Sequence, residues 1–326
     1  MRAIVTTRAG GPEVLEVQQV PDPEPQADEI IVKVSAAGLN FADILATRGA
    51  YGRGGPQPPF VGGREFCGVR QDTGERVMGY AEQGAFAEYI AAKPHRIWPA
   101  PKNFSDADCA AFPVNFFTAW LVYWKAGLVG NDADPERPIH KRRPRVLIHA
   151  VAGGVGTAAV QIGKQLGIEM YGTSSSDGKL QGAFALGLQH GLNYTRQDWL
   201  KMIHDHTNGE GVDAVFEMVG GETTAKSIRL LAFLGRVILY GTASGEKPDI
   251  DGRVLYNRMT SVHGLWLSKL INYPEIMQRA ANALMPWVEQ GKLKPVVGHR
   301  MKLEELGDAY TLMLEKKNFG KVVLTV

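Results

Sequence analysis

The chain has 326 residues, enough for about two domains that each bury a core of their own. Its 44% hydrophobic and 21% charged content excludes disorder as the main state. A formal net charge of +2 excludes a broadly cationic nucleic-acid surface, and only two cysteines, Cys67 and Cys109, leave no disulfide framework or four-thiolate zinc lobe, with the cytosol the expected compartment.

In chain order, "MRAIVTTRAGG" alternates like a strand and lacks the apolar core of a signal peptide. Up to about residue 100, β-rich pieces such as "IIVKVSAAG" (30–38) and "ERVMGY" (75–80) are broken by "PDPEPQ" and "GRGGPQPP", which predicts an antiparallel, barrel-like domain. The apolar stretch Ala110 to Trp124, interrupted by Pro113, Asn115 and Thr118, falls short of the roughly 20 residues a membrane span needs and reads as a buried helix. The basic run "HKRRPR", His140 to Arg145, reads as a solvated loop, with an anionic partner site as the alternative.

From Arg145 strands and helices alternate: "RVLIHA", a helix from Gly156 to Leu166, "EMYGTS", a helix around Gly178 to Ala185, "GVDAVFEMVG", a helix near Thr223 to Ala232, and "GRVILYGT". That alternation predicts a parallel sheet with helices on both faces. After about residue 270 a helix leads to a closing strand at "GKVVLTV", which can complete the sheet of the first domain, so that the α/β domain is an insertion.

The junction "HAVAGGVGTAAVQIGKQLG" (149–167) joins the first of these strands to its helix. Set against G-x-G-x-x-G it departs at Val151 and fits at Gly153 and Gly156. Gly153 would let backbone approach a pyrophosphate, whose charge the helix N-terminus stabilises, and Gly156 would let the helix pack on the strand. About 20 residues on, where an NAD enzyme places an acidic side chain, the sequence offers Ser174 and Ser175 with Lys179 nearby, donors that favour the 2′-phosphate of NADPH. Asp177 is discordant there and is expected to face solvent or cap the following helix; an ordinary polar loop is the alternative for the whole segment.

These segments, together with "GLNFADILATRGAY" (38–51), "GERVMGY" (74–80), "PVNFFTAW" (113–120) and "EKKNFGKVVL", resemble the medium-chain dehydrogenase/reductase superfamily in its zinc-independent quinone oxidoreductase, or zeta-crystallin-like, division, near the branch of the vesicle amine transport protein homologue. The resemblance covers essentially the whole chain. It implies a Rossmann doubly wound parallel sheet, residues 123–267, inserted into a GroES-like β-barrel domain of residues 1–122 and 268–326, with NADPH in the cleft and a homodimer. The residues it implies for the cofactor are Asn40, Thr118, Gly153, Gly154, Val155, Gly156, Ser174, Ser175, Lys179, Tyr194, Gly241 and Asn318; for catalysis, Asn40, Tyr51 and Thr118. Asp43 belongs to the same N-terminal motif. Thr47 stands where the family carries Arg, so Arg48 is not assigned that role; "FCGVRQDTGERV" implies a trimmed hairpin, and "NDADPERPIHKRRP" an extended connection.

Where the zinc-dependent branch carries Cys and His-Glu, the chain has Asn40 and Arg64-Glu65, so no catalytic metal is expected. Cys67 reads as a lone buried thiol and His149 as a packed strand residue. Hydride transfer without a Lewis acid suits a quinone or another electron-poor carbonyl. Asn40 is expected to donate to the acceptor carbonyl, Tyr51 to donate or relay a proton, and Thr118 to position the nicotinamide; for Asn40 the alternative is to tie its own loop. Two other functions stay open: an enoyl or alkenal reductase, and a nucleotide-binding protein with little turnover. "MTSVHGLWL" (259–267) reads as a late strand on whose edge a second copy, or the monomer itself, closes the sheet.

Overall fold

In the computed structural model, residues 1–52, 55–130 and 142–326 are described. Compactness divides the chain into a unit of Met1–Asn115 with Ile271–Val326, and a unit of Phe116–Leu270.

The N-terminal stretch supplies β1 (Arg2–Thr6), β2 (Leu15–Gln19), β3 (Ile30–Leu39), α1 (Phe41–Thr47), β4 (Phe60–Val61), β5 (Glu65–Arg70), β6 (Arg76–Tyr80), β7 (Tyr89–Ala92), β8 (Ile97–Pro99) and α2 (Asp106–Ala110). These strands pair antiparallel, β1 between β2 and β4, and β3 through β5 and β6 to β8. The β5–β6 hairpin closes on Gly74 at φ +72°, a left-handed conformation that glycine adopts without a Cβ clash. α3 (Pro113–Lys125) begins at Pro113, which therefore starts the helix expected over 110–124 instead of interrupting it; a proline lacks only an N–H that the first turn cannot use.

The second unit alternates β9 (Arg145–Ile148), α4 (Gly154–Gln165), β10 (Glu169–Ser174), α5 (Asp177–Leu186), β11 (His190–Asn193), α6 (Trp199–His206), β12 (Val212–Glu217), α7 (Gly221–Arg229), β13 (Leu231–Leu239), α8 (Gly252–Asn257), β14 (Ser261–Gly264) and α9 (Leu267–Leu270). The strands run parallel in the order β11-β10-β9-β12-β13-β14, the doubly wound order, in which a ligand lies beyond the carboxyl ends where the winding reverses. Leu147, Tyr171, Val215 and Val237 pack with Ile203 and Ile228 in one core. β11 and α6 lie outside the alternation read from sequence, and β14 forms one sheet edge.

Within the second unit the basic run is not a solvated loop over its described part. Arg142 makes a bidentate pair with Asp213 and contacts Glu210 at 2.8 Å, and Arg145 reaches Glu169 and Glu210. These pairs tie the starts of β9, β10 and β12, which corrects the expectation; His140 and Lys141, and most of the extended connection, lie outside the described residues.

The chain then adds α10 (Pro274–Glu289), β15 (Val297–Lys302), α11 (Leu306–Leu314) and β16 (Lys321–Thr325). β16 lies between β15 and β3, antiparallel to β3, so the last strand does complete the first unit's sheet. Ile4, Leu39, Ile44, Phe66, Tyr310 and Leu324 share its core. Among the described residues no helix is long and apolar enough to cross a membrane.

Candidate functional site

In the first unit β3 ends at Leu39 and Asn40 caps α1, its backbone N–H donating to Asp43 Oδ2 at 2.9 Å. Strand β16 brings Lys321, a lysine only 4% exposed, against the same point. Its ammonium donates to Asn40 Oδ1 at 2.6 Å and is paired with Glu65. Glu65 also accepts from Asn40 Nδ2 at 3.0 Å and from the Val114 N–H at 2.9 Å, leaving both carboxylate oxygens engaged. The gap is tight: a Cβ on Gly38 would lie 2.7 Å from Glu65 Oε1.

Asn40's second amide hydrogen points to Gly38 O at 3.4 Å. Both amide hydrogens face acceptors of the protein, and with Lys321 on its oxygen the Asn40 side chain links β3, β5 and β16. Beside it Arg64, also buried, lies 3.3 Å from Asp43 and holds its guanidinium 3.9 Å from the centre of the half-buried Tyr51 ring. Burial pushes the Asp43 carboxyl up to about 6 against the pull of Arg64. Asn318, three residues before Lys321, is half-buried and turns its amide onto Gly320 O at 3.2 Å. Sequence reading missed Lys321; its signal was one cation inside the otherwise apolar "GKVVL".

In the second unit the glycine turn is built around a residue in a strained conformation: Ala150, at φ +49°, reverses the chain after β9. α4 then starts on Gly153, which carries no side-chain cap, so the first-turn amides at Gly154 and Val155 have no intrahelical acceptor. A Cβ on Gly156 would lie 2.5 Å from Ala150 O and 2.6 Å from Val151 O, so this glycine is fixed by helix–strand contact. Val151 replaces the first glycine because the neighbouring strand makes room: a Cβ on Gly172 would meet Val151 Cγ2 at 2.7 Å. Thr118 is buried within α3.

At the carboxyl ends of β10 and β11, Ser174 is buried and its carbonyl accepts from the Tyr194 N–H at 3.1 Å, while the Tyr194 ring is 41% exposed. Ser175 follows, and Ser176, not Asp177, caps α5 by accepting from the Lys179 N–H. Asp177 does not cap the helix but does face solvent, its side chain 57% exposed, where Asn193 Nδ2 and Arg196 Nη1 each donate to it at 2.7 Å. The discordant carboxylate is thus paired at the surface with Arg196, which sequence reading missed. Gly241 follows β13 at the same sheet end, a Cβ there lying 3.2 Å from Met218 Cβ.

His149 is buried, its two ring nitrogens 2.9 Å from Thr173 Oγ1 and Ser227 Oγ, and burial pulls its pKa below the ordinary imidazole value. Ser227 donates onward to Glu217, completing an internal chain under the glycine turn.

The donor set at Asn40, Arg64 and Glu65 does not suit zinc: an amide, a buried guanidinium and a carboxylate bound to an ammonium place two positive charges where a cation would sit. Among the described residues no three His, Cys, Asp or Glu side chains gather to hold a metal.

Two family models match, "Alcohol dehydrogenase GroES-like domain" over residues 26–102 and "Zinc-binding dehydrogenase" over 154–282. The synaptic vesicle membrane protein VAT-1 homolog of Danio rerio is 31% identical over 99% of this chain and 70% of its own length. The quinone oxidoreductase-like protein 2 of Bos taurus is 29% identical over 96% of this chain and 89% of its own. The quinone oxidoreductase from Thermus thermophilus, whose structures include a complex with NADPH, superposes with a TM-score of 0.87 at 34% identity, each chain fully covered. With full-length relatives, both domain models and the doubly wound sheet in agreement, the chain belongs to the medium-chain dehydrogenase/reductase superfamily, in its zinc-independent quinone oxidoreductase and VAT-1 homologue branch.

Proposed function

We propose that the protein is an NADPH-dependent oxidoreductase that passes hydride to a quinone or another electron-poor carbonyl compound. The observation that carries this reading is the α4 turn: Gly153 caps the helix without a side chain, the amides of Gly154 and Val155 have no intrahelical acceptor, and Gly156 is pressed on Ala150 and Val151, an arrangement suited to a pyrophosphate. The NADPH complex of the Thermus thermophilus relative supports the same cofactor here. NADPH, when bound, supplies the hydride.

The chain's own residues bind and orient. Ser174, Ser175 and Lys179 offer donors to a 2′-phosphate, and the exposed ring of Tyr194 offers a face to adenine. Arg196 pairs with Asp177, a carboxylate that would otherwise repel that phosphate. Thr118 is proposed to stand beside the nicotinamide, with Asn318 at its ribose. Tyr51, with Arg64 against its ring, is proposed to hand a proton or hydrogen bond to the acceptor, while Asn40 holds the backbone next to it. Two copies are proposed to pair through the β14 edge.

A panel of quinones and enones, run with NADPH and NADH in parallel, tests the reading. Oxidation of NADPH well ahead of NADH, with hydroquinone as product, is the expected result. A saturated ketone or aldehyde would establish the enoyl reductase instead, and tight NADPH binding without oxidation a nucleotide-binding protein with little turnover.

A further inference from the structure

The chain's only two cysteines, far apart in sequence, meet in the first unit. Cys67 lies in β5 and Cys109 in α2, both fully buried as free thiols, on two elements that pack against one another. Each touches one member of a single ion pair: Cys67 Sγ lies 3.6 Å from Asp106 Oδ1, and Arg76 Nη2 lies 3.6 Å from Cys109 Sγ, while Arg76 and Asp106 are 2.6 Å apart. That ion pair is the layer above the sulfurs, its side chains 34% and 47% exposed. None of this belongs to the Asn40 cluster or the glycine turn, and Cys67 is buried and free as expected.

We propose that Cys67 and Cys109 form a reversible thiol–disulfide site, closed by a hydroperoxide and reopened by a small dithiol. The two sulfurs differ in a way that assigns their roles. The neighbouring Cys67 thiol and the Arg76 guanidinium, which donates to Cys109 Sγ, hold the Cys109 thiol below its usual range, whereas Cys67, buried beside Cys109 and Asp106, is pushed above it. Cys109 thiolate attacks the peroxide: an S–O bond forms, the O–O bond breaks, and hydroxide leaves, with sulfur oxidised and peroxide reduced. Cys67 then attacks the sulfenic sulfur, the S–S bond forms, and water leaves carrying the Cys67 proton. A dithiol reverses the second bond by exchange and becomes the cyclic disulfide.

Hydrogen peroxide is added to the folded full chain, which is then unfolded and alkylated for mass analysis. The expected product is a chain lighter by two hydrogens, unalkylated at both cysteines, giving a linked Cys67–Cys109 peptide that dithiothreitol removes. Cys67→Ser is expected to stop at a dimedone-reactive Cys109, and Arg76→Met to slow closure about tenfold. Full alkylation of both cysteines after peroxide, oxygen adducts without a bridge, or disulfides only between chains would each overturn the proposal. Should Cys67→Ser fail to fold, the wild-type peptide map alone decides. Closure at an unchanged rate in Arg76→Met overturns the assignment of Cys109 as the attacking thiolate.

Discussion

The two units carry their polar groups in opposite ways. In the first, Asn40, Asp43, Arg64, Glu65 and Lys321 pair among themselves, and Glu65 spends both oxygens on the protein. In the second, α4 starts on Gly153 with no side-chain cap, so its first-turn amides have no intrahelical acceptor. A closed cluster fixes shape; an open turn waits for a ligand. The Asn40, Glu65 and Lys321 group joins β3, β5 and β16, and the ligand-binding capacity proposed for the chain lies with backbone.

The contrast breaks hardest at Lys321. Removing its ammonium strands Glu65 and Asn40 Oδ1 in the interior, so Lys321→Met is expected to cost about 3–5 kcal/mol, the range for halving a buried ion pair. Urea unfolding measures it. The double variant Lys321→Met with Glu65→Gln should recover a large part; if it recovers none, the pair is not the joint.

Asp43 gives the next effect, through pH. Its folded pKa of about 6 lies above the ordinary 3.8, so the folded state holds this proton more firmly than the unfolded. Asp43's contribution to stability is complete below 3.8 and is lost as pH rises through about 6, a swing on the order of 3 kcal/mol for the isolated group. Asp43→Asn should flatten the stability profile across that window. An unchanged profile would mean that Arg64 cancels the burial of Asp43 more fully than the cluster's closure implies.

How much of this was legible beforehand follows the same division. Backbone-driven features show in sequence, because only glycine fits where a Cβ would strike Ala150 O, and that constraint is written at Gly156 itself. The departure at Val151 was readable but not explicable, since its cause is Gly172 on the neighbouring strand. Side-chain networks between distant segments were not readable. Lys321 and Asn40 are brought together by β16 pairing with β3, and Arg196 and Asp177 by the parallel β10–β11 register. β11 was missed for a different reason: "HGLN" is four residues with a glycine and little β-branched character, and its strand state comes from pairing with β10. α6, with Trp199 and Ile203 on its core side and charge elsewhere, carried a helical signal that went unread.

The open turn is sharpened by closing it. Gly156→Ala adds one methyl 2.5 Å from Ala150 O and forces α4 away from β9. The expected cost is about 1–3 kcal/mol of stability, as for overpacking elsewhere, together with a weaker NADPH complex by fluorescence titration. Retained affinity with lost stability would show that the first-turn amides tolerate the shift and that their geometry is set by Gly153 instead.

The smallest effect separates the two nucleotides. Lys179 sits two residues into α5 after Asp177, whose carboxylate pairs with Arg196, and is proposed to attract the 2′-phosphate. Lys179→Ala should raise the KM for NADPH about tenfold, worth ~1.4 kcal/mol, and leave NADH nearly unchanged. Arg196→Ala should act in the same direction by uncovering Asp177, and its effect should shrink when Asp177→Asn is added. Equal losses for both nucleotides would move these residues from phosphate recognition to the plain upkeep of the β10–β11 connection, and would leave the glycine turn as the sole determinant of binding.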